Sequence, residues 1–262
     1  MEQRIGGVVK TGTIGRDVHV ETHGQGPPLL LTHGFGATCR MWDEQAEELT
    51  DRFRAVLWDL PGHGRSANAP VPGAGGNSAD KMVETMRAIL DNAGAPRAVL
   101  VGQGLGGLLS LRFWHAWPGR VRGLVLIGTL PGLRSGPARA LWNGQVSALA
   151  DALDRDGLDA LEGGAEVDPH AHTDAKALAR AARSLLERHD EDALPWLREI
   201  DVPVLILTGG EDRPTLSAAA FMARAIPDAR HVVVPRANHA VGLHKPAAAN
   251  AEIRAFLARL PP

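Results

Sequence analysis

The parts of this chain that could do chemistry are a histidine, an aspartate and a glycine-rich turn. Asn238-His239 stands near the C-terminus, and Gly209-Gly210-Glu211-Asp212 precedes it. Histidine exchanges protons near neutral pH, and a carboxylate can orient its ring, so these residue types suit general acid–base work. Earlier, Gly102-Gln103-Gly104-Leu105-Gly106-Gly107 joins an apolar run to a helical pattern, as a nucleophile elbow does. At its centre is Gly104, where covalent catalysis needs serine, cysteine or aspartate. Two further signatures lie upstream, Leu31-Thr32-His33-Gly34-Phe35-Gly36 and Asp59-Leu60-Pro61-Gly62-His63-Gly64-Arg65-Ser66.

Other residues of reactive type carry blander expectations. Nothing near Cys39 in sequence lowers its pKa, so it is expected to be a small apolar filler at a helix start. His170, His172 and Asp174 alternate so that three ligands could share one face of an extended segment. They sit in a polar loop and are expected on a solvated surface. His63 and His115 are expected to be partly exposed and non-catalytic, and His244 to hydrogen-bond locally. Between Glu211 and Asp212, the strand-end position favours Asp212. Gly102, Gly104 and Gly107 match a dinucleotide fingerprint in spacing. The strand before them is not the chain's first, and the acidic ribose-binding residue about 20 positions on is missing. No metal site and no cofactor are expected.

The elements that must position these residues read as an alternation. Apolar runs bounded by glycine and proline cover Pro28 to Thr32, Phe53 to Leu60, Ala98 to Val101, Gly123 to Ile127, Val204 to Leu207 and His231 to Val234. Such runs fit strands buried on both faces of a parallel sheet. Helical patterns lie between them: Ala79 to Asn92, with Met82, Met86, Ile89 and Leu90 on one face; Leu105 to Trp117; Ser217 to Ile226; and Pro246 to Leu257. Gly7 to Glu21 reads as a polar hairpin turning at Gly15-Arg16-Asp17, and Ala69 to Ser78 as a Gly/Pro-rich surface loop. The expected fold class is α/β, a doubly wound, mostly parallel sheet. From about Leu133 to Leu194 no strand pattern appears. Leu141 to Leu153 and Ala175 to Arg188 look amphipathic, and Gly163 to Asp174 looks like a loop. The core is therefore expected over residues 1–132 and 195–262, with a helical insertion over 133–194.

Five signatures in this order resemble the α/β-hydrolase superfamily, nearest its enol-lactonase, esterase and cofactor-free haloperoxidase group, over almost the whole chain. The resemblance implies an α/β-hydrolase fold, with the insertion as a helical cap. It matches His239 to the general base and Asp212 to the carboxylate that fixes the imidazole tautomer. It matches the backbone N–H groups of Phe35 and Leu105 to the oxyanion hole, and gives His33 the task of holding the oxyanion loop. The expected substrate is a small or medium apolar molecule with a carbonyl, such as an ester, lactone or polyketide-like ring. It is expected between cap and core, lined by Trp142, Trp196, Leu141 and Phe35. Gly104 departs from the pattern, because it puts glycine at the nucleophile position. Without aspartate at 104 the alkyl-enzyme chemistry of dehalogenases and epoxide hydrolases lacks its nucleophile. The chain also contains no tyrosine, so the paired cap tyrosines of those epoxide hydrolases are missing.

Glycine tolerates positive φ, so the fold should survive at an elbow. The chemistry should not: in serine proteases the loss of serine costs roughly 10⁶ in kcat, which excludes an acyl-enzyme here. Three accounts stay open. Gly104 is an introduced change in a serine hydrolase; or His239 and Asp212 work as a general-base dyad without a nucleophile; or the chain binds ligand without turning it over. For the second, the absent CH₂OH frees space of the order of one water, ~30 Å³.

Bulk properties set outer limits. A 262-residue chain with 44% apolar residues can bury a large core. Its formal charge of -2 offers no field for nucleic acid or an anionic membrane. The first residues, Met1 to Gly6, lack the apolar stretch of a signal peptide, and no segment approaches a membrane span. A single cysteine precludes an internal disulfide, which fits a reducing compartment and an expected cytoplasmic location. The expected partner is a small-molecule substrate, with neither nucleic acid nor membrane.

Overall fold

The computed structural model describes residues 10–15, 17–73, 78–161, 167–189 and 192–260. The N-terminal residues 1–6, parts of the expected hairpin (7–9 and 16), part of the Gly/Pro-rich loop (74–77) and part of the expected cap loop (163–166) lie outside them.

Among the described residues, eight strands form one sheet: β1 (Lys10–Ile14), β2 (Val18–His23), β3 (Pro28–Thr32), β4 (Arg54–Trp58), β5 (Ala98–Gln103), β6 (Val121–Ile127), β7 (Val204–Gly209) and β8 (Ala229–Val234). The order is β1-β2-β4-β3-β5-β6-β7-β8. Strand β2 runs antiparallel to β1 and β4, and every later pairing is parallel. The long apolar runs become the central strands because both faces are covered; β5 and β7 are buried at every position.

Alternation within each strand divides the core. Leu30, Val56, Leu100, Leu124 and Ile206 face one layer of helices, α2 (Ser78–Asn92), α3 (Leu105–Ala116) and α6 (Arg213–Ala225). Leu29, Leu31, Val99, Val125 and Leu205 face the other, α1 (Asp43–Leu49) and α8 (Pro246–Leu257). Helix α2 buries Met82, Met86, Ile89 and Leu90 as its periodicity predicts, and Gly94 follows it at a φ of 60°. Helix α6 starts four residues before the predicted Ser217, because Pro214 fits its first turn and the Asp212 carbonyl accepts from the Leu216 N–H at 3.2 Å. A four-residue helix, α7 (Val241–His244), follows the histidine loop.

Between β6 and β7 lie α4 (Gly136–Asp156) and α5 (Ala175–Ala181), continued by a wider π turn over Ala182–Leu186. They bury an apolar cluster of their own, Val146, Ala150 and Leu153 against Leu178, Ala179 and Ala182. The helix predicted through Arg188 stops earlier: at Glu187 the backbone turns extended, with ψ at 139°. The hairpin is also less polar in effect than its sequence, since His19, Glu21 and His23 of β2 are buried. Strand β2 lies inside the sheet, beside β4, so its polar side chains find partners there instead of water. No helix of the described residues is long and apolar enough to cross a membrane.

Candidate active site

The turn between β5 and α3 is built for close approach. Gly104 has φ 51° and ψ -109°, a left-handed conformation that a side chain adopts only under strain. Its N–H donates to the Ile127 carbonyl at 2.9 Å, which fixes the turn against β6. A Cβ on Gly106 would lie 2.1 Å from the Thr32 carbonyl oxygen, so α3 packs on the end of β3 only through glycine. Leu105 opens α3, and the first amides of a helix have no intrahelical acceptor.

Asp212 and His239 come together from the ends of β7 and β8. Nδ1 of His239 lies 2.8 Å from Oδ2 of Asp212. Burial raises the Asp212 carboxyl, but hydrogen bonds from His239 and Thr215 and the charge of His239 outweigh it, holding the pKa below the usual carboxylate value. Thr215 Oγ1 makes its own short hydrogen bond to the same oxygen. Gln103 Nε2 donates to the His239 carbonyl at 3.0 Å, and His244 Nδ1 accepts from the Asn238 N–H at 3.1 Å, so the histidine loop is held from two sides. A Cβ on Gly128, at the end of β6, would come within 2.9 Å of the His239 ring. Glu211 is exposed and lies outside this arrangement.

These residues border a cavity of about 210 Å³ lined by Phe35, Gly104, Leu105, Gly128, Leu130, Trp142, Leu186, Arg188 and His239. Phe35, Leu105 and Trp142 thus stand where the sequence expects them. Leu141 and Trp196 do not. Leu141 is 68% exposed, because one helical step from Trp142 turns it away from the cavity. Trp196 lies in the short turn Leu194–Glu199, stacked on His115 at 3.7 Å between ring centroids and packed against the main core. A larger cleft of about 590 Å³ lies between the hairpin and α2, but no histidine, carboxylate or thiol is among its described lining residues.

The loops beside Gly104 are tied by three buried histidines. The Leu60 N–H donates to Nε2 of His33 at 2.9 Å, so Nδ1 carries the proton and donates to the Gly34 carbonyl at 2.7 Å. His63 is fully buried, contrary to the expected partial exposure, with its ring edge-on to Phe35 at 5.1 Å and 5.2 Å from His33. His172 is also buried, which overturns the solvated reading. Its Nδ1 accepts from the Gly64 N–H at 3.1 Å and its Nε2 donates to the Gly36 carbonyl at 2.7 Å. It thereby joins the insertion to two core loops. His170 is exposed, and Asp174 caps α5 by accepting from the Ala177 N–H at 3.0 Å.

Two carboxylates complete the frame. Asp59 accepts from the Cys39 N–H at 2.6 Å and the Arg65 N–H at 2.9 Å. Cys39 starts a short helical turn, buried, and burial with the Asp59 charge pushes its thiol pKa far up. Glu21 meets His19 at 2.9 Å, His23 at 3.1 Å, Arg65 at 2.8 Å and also Arg40. Oxygen, nitrogen and sulfur of Glu21, His19 and Cys39 lie close enough together to suit a metal ion. The two guanidinium groups already neutralise that carboxylate, and the cluster serves to hold β2 to the loops after β3 and β4.

Comparison with known proteins agrees with this fold. Residues 29–252 match the model of the Alpha/beta hydrolase family. The chain is 30% identical over 251 residues to the pimeloyl-[acyl-carrier protein] methyl ester esterase of Nitrosomonas europaea, covering 87% of this chain and 95% of that protein. A thermophilic esterase from Thermogutta terrifontis superposes with a TM-score of 0.79 at 25% identity, covering 95% and 98% of the two chains. The structure of MenH from S. aureus gives 0.81 at 23% identity, covering 92% and 98%. By sheet order, elbow and sequence, the chain belongs to the alpha/beta hydrolase family, whose matched members are esterases and related enzymes.

Proposed function

We propose that the chain is an enzyme acting on the carbonyl of a small ester, lactone or polyketide-like ring, with His239 as general base, Asp212 as its orienting carboxylate and no covalent nucleophile. The observation that carries this reading is the 2.8 Å contact of His239 with Asp212 at the edge of the Gly104 cavity. In this mechanism His239 takes a proton from a water that adds to the carbonyl, or from the substrate itself in an elimination or cyclisation. The N–H groups of Phe35 and Leu105 accept the charge that develops on the carbonyl oxygen, helped by the positive end of the α3 dipole. Residues 133–194 act as cap over a core of 1–132 and 195–262, with the small-molecule substrate between them. No cofactor and no metal enters any step. The esterase names of the relatives support a carbonyl substrate. His239→Ala should abolish turnover of the true substrate while leaving the thermal melt cooperative; surviving activity overturns the dyad.

The same names favour a second reading, a serine esterase or lactonase in which residue 104 has become glycine. Gly104→Ser assayed on aryl esters separates the two. A gain of several orders of magnitude supports the lost serine, and no gain sinks it. Ligand binding without turnover by either form would instead mark a binding protein on this scaffold.

A further inference from the structure

One side chain of the insertion reaches the loop that carries Phe35. His172 follows the short turn Pro169–Ala171, and its Nε2 donates to the Gly36 carbonyl at 2.7 Å. On the other side of the ring Nδ1 accepts from the Gly64 N–H at 3.1 Å, which fixes the tautomer that donates to Gly36. Burial lowers the His172 pKa against the pull of Gly36 and Asp59, and so favours the neutral ring that can do both. The insertion also lies directly on this glycine. Gly36 has a φ of 78°, and a Cβ there would come 3.0 Å from Val167 Cγ2. Phe35 beside it packs against both the main core and the apolar cluster of the insertion.

The Gly36 carbonyl belongs to a series of linked peptide groups. Its own peptide unit carries the Ala37 N–H, which donates to the Gly34 carbonyl at 3.3 Å. That second carbonyl also accepts from His33 Nδ1 at 2.7 Å, and its peptide unit carries the Phe35 N–H. A trans peptide is planar, with C=O and N–H pointing opposite ways, so whatever holds the Gly34 carbonyl aims the Phe35 N–H. Among the described residues no acceptor meets that N–H, and Phe35 borders the cavity with Gly104 and His239. Hydrogen bonds in series polarise one another in a low-dielectric interior. We propose that His172 is a positioning residue of the oxyanion hole, acting through the Gly36–Ala37 and Gly34–Phe35 peptide groups to set the direction and polarity of the Phe35 N–H. This role rests on the reading of Phe35 as an oxyanion donor. It also sets the two bonds of the ring apart. A staple between insertion and core would draw on either bond alike, whereas a relay draws on the bond to Gly36 and not on the bond to Gly64.

Two substitutions separate those bonds. The amide of His172→Asn reaches the Nδ1 position, where it can accept from Gly64, but falls short of Gly36. The amide of His172→Gln reaches the Nε2 position, where it can donate to Gly36. Both lose the ring and its ring current, so the difference between them reads the Gly36 bond. In assigned amide NMR spectra without ligand, His172→Asn should shift the Ala37 and Phe35 N–H signals upfield together, and His172→Gln should hold them near their unmodified positions. Hydrolysis of 4-nitrophenyl acetate is then followed in the unmodified chain and in a Gly104→Ser background. His172→Asn should lower kcat at least about tenfold with KM within about threefold, since losing an oxyanion donor outright costs roughly 10²–10³. His172→Gln should keep kcat within about threefold of its parent, because the donor stays aimed. Should the asparagine variant not fold, His172→Phe, which keeps a ring against His63 and lacks both nitrogens, takes its place; should the glutamine variant not fold, the unmodified chain is the reference. Phe35 signals that stay put in His172→Asn, or that move equally in both variants, overturn the role. So does a kcat that is unchanged in His172→Asn or falls alike in both. Signals that move as expected without turnover in either background support the tie to Phe35 and count against ester hydrolysis in this cavity.

Discussion

A serine at position 104 would have to hold the backbone at φ 51° and ψ -109°, where glycine stands without steric cost. Strain of this kind amounts to about 1–3 kcal/mol. Gly104→Ser should therefore melt several degrees lower, at roughly 2–4 °C of Tm per kcal/mol for a domain of this size. If the second functional reading is right, the same variant gains aryl-ester hydrolysis by at least about 10²-fold, well within what a lost serine costs. Stability and activity then move in opposite directions, which a nonspecific effect of the substitution would not produce. At the carboxylate, Asp212→Asn keeps the shape and removes the charge that orients His239. Under the dyad reading turnover falls by roughly 10²–10⁴-fold with little change in KM. An unchanged kcat would show that the Asp212 charge has no part in turnover.

Elements carry the site through ties that span long stretches of chain. Glu21 of β2 gathers Arg40 and Arg65 from loops after β3 and β4, and those ties with His19 and His23 outweigh burial in holding its carboxyl far below the usual range. Glu21→Gln leaves the buried His19 and His23 without their carboxylate and the half-exposed Arg40 and Arg65 unpaired, so the loss should be about 1–3 kcal/mol, read as a drop of the order of 2–12 °C in Tm. A change under 2 °C would mean that the cluster re-pairs on its own. This tie was not legible in Val18-His19-Val20-Glu21-Thr22-His23, whose alternation looks like a solvated hairpin edge; only the pairing of β2 with β4 buries it. The central strands were legible, because Leu29-Leu30-Leu31 can be satisfied only with both faces covered. The meeting of His239 with Asp212 was legible because each lies in the loop that follows one of the last two strands. Arg188, Trp196 and Leu141 were not, since which of them meets the cavity depends on where α5 unwinds and how α4 is rotated. His172 shows the same dependence, its two partners lying 108 and 136 residues away.

For the molecule as a whole, three histidines, His33, His63 and His172, and with them His231 on β8, make stability fall in acid. Burial pushes His33 down to about 4, against the opposing pull of the Asp59 charge. Burial also holds His63 well below the ordinary histidine value, reinforced by His33 and His172, and burial lowers His172 despite its bond to Gly36. His33 is neutral in the folded protein at pH 6, and burial makes His63 and His172 harder to protonate folded than unfolded, where the value lies near 6.5. Unfolding therefore takes up protons as the pH falls below about 6.5, and each proton subtracts up to about 1.4 kcal/mol of stability per pH unit until the folded pKa is reached. Stability is full above that window and is lost on acidification. The depressed carboxylates Glu21 and Asp212 add their losses only below about pH 4.5, where unfolded carboxylates begin to protonate. Urea titrations between pH 6.5 and 5 thus isolate the histidines. His63→Leu should remove one proton from the uptake, making the fall shallower by up to about 1.4 kcal/mol per pH unit while His33 and His172 keep theirs. Parallel slopes for the two proteins would mean that His63 binds its proton equally well folded and unfolded, and that its burial among Phe35, His33 and His172 does not govern the acid response.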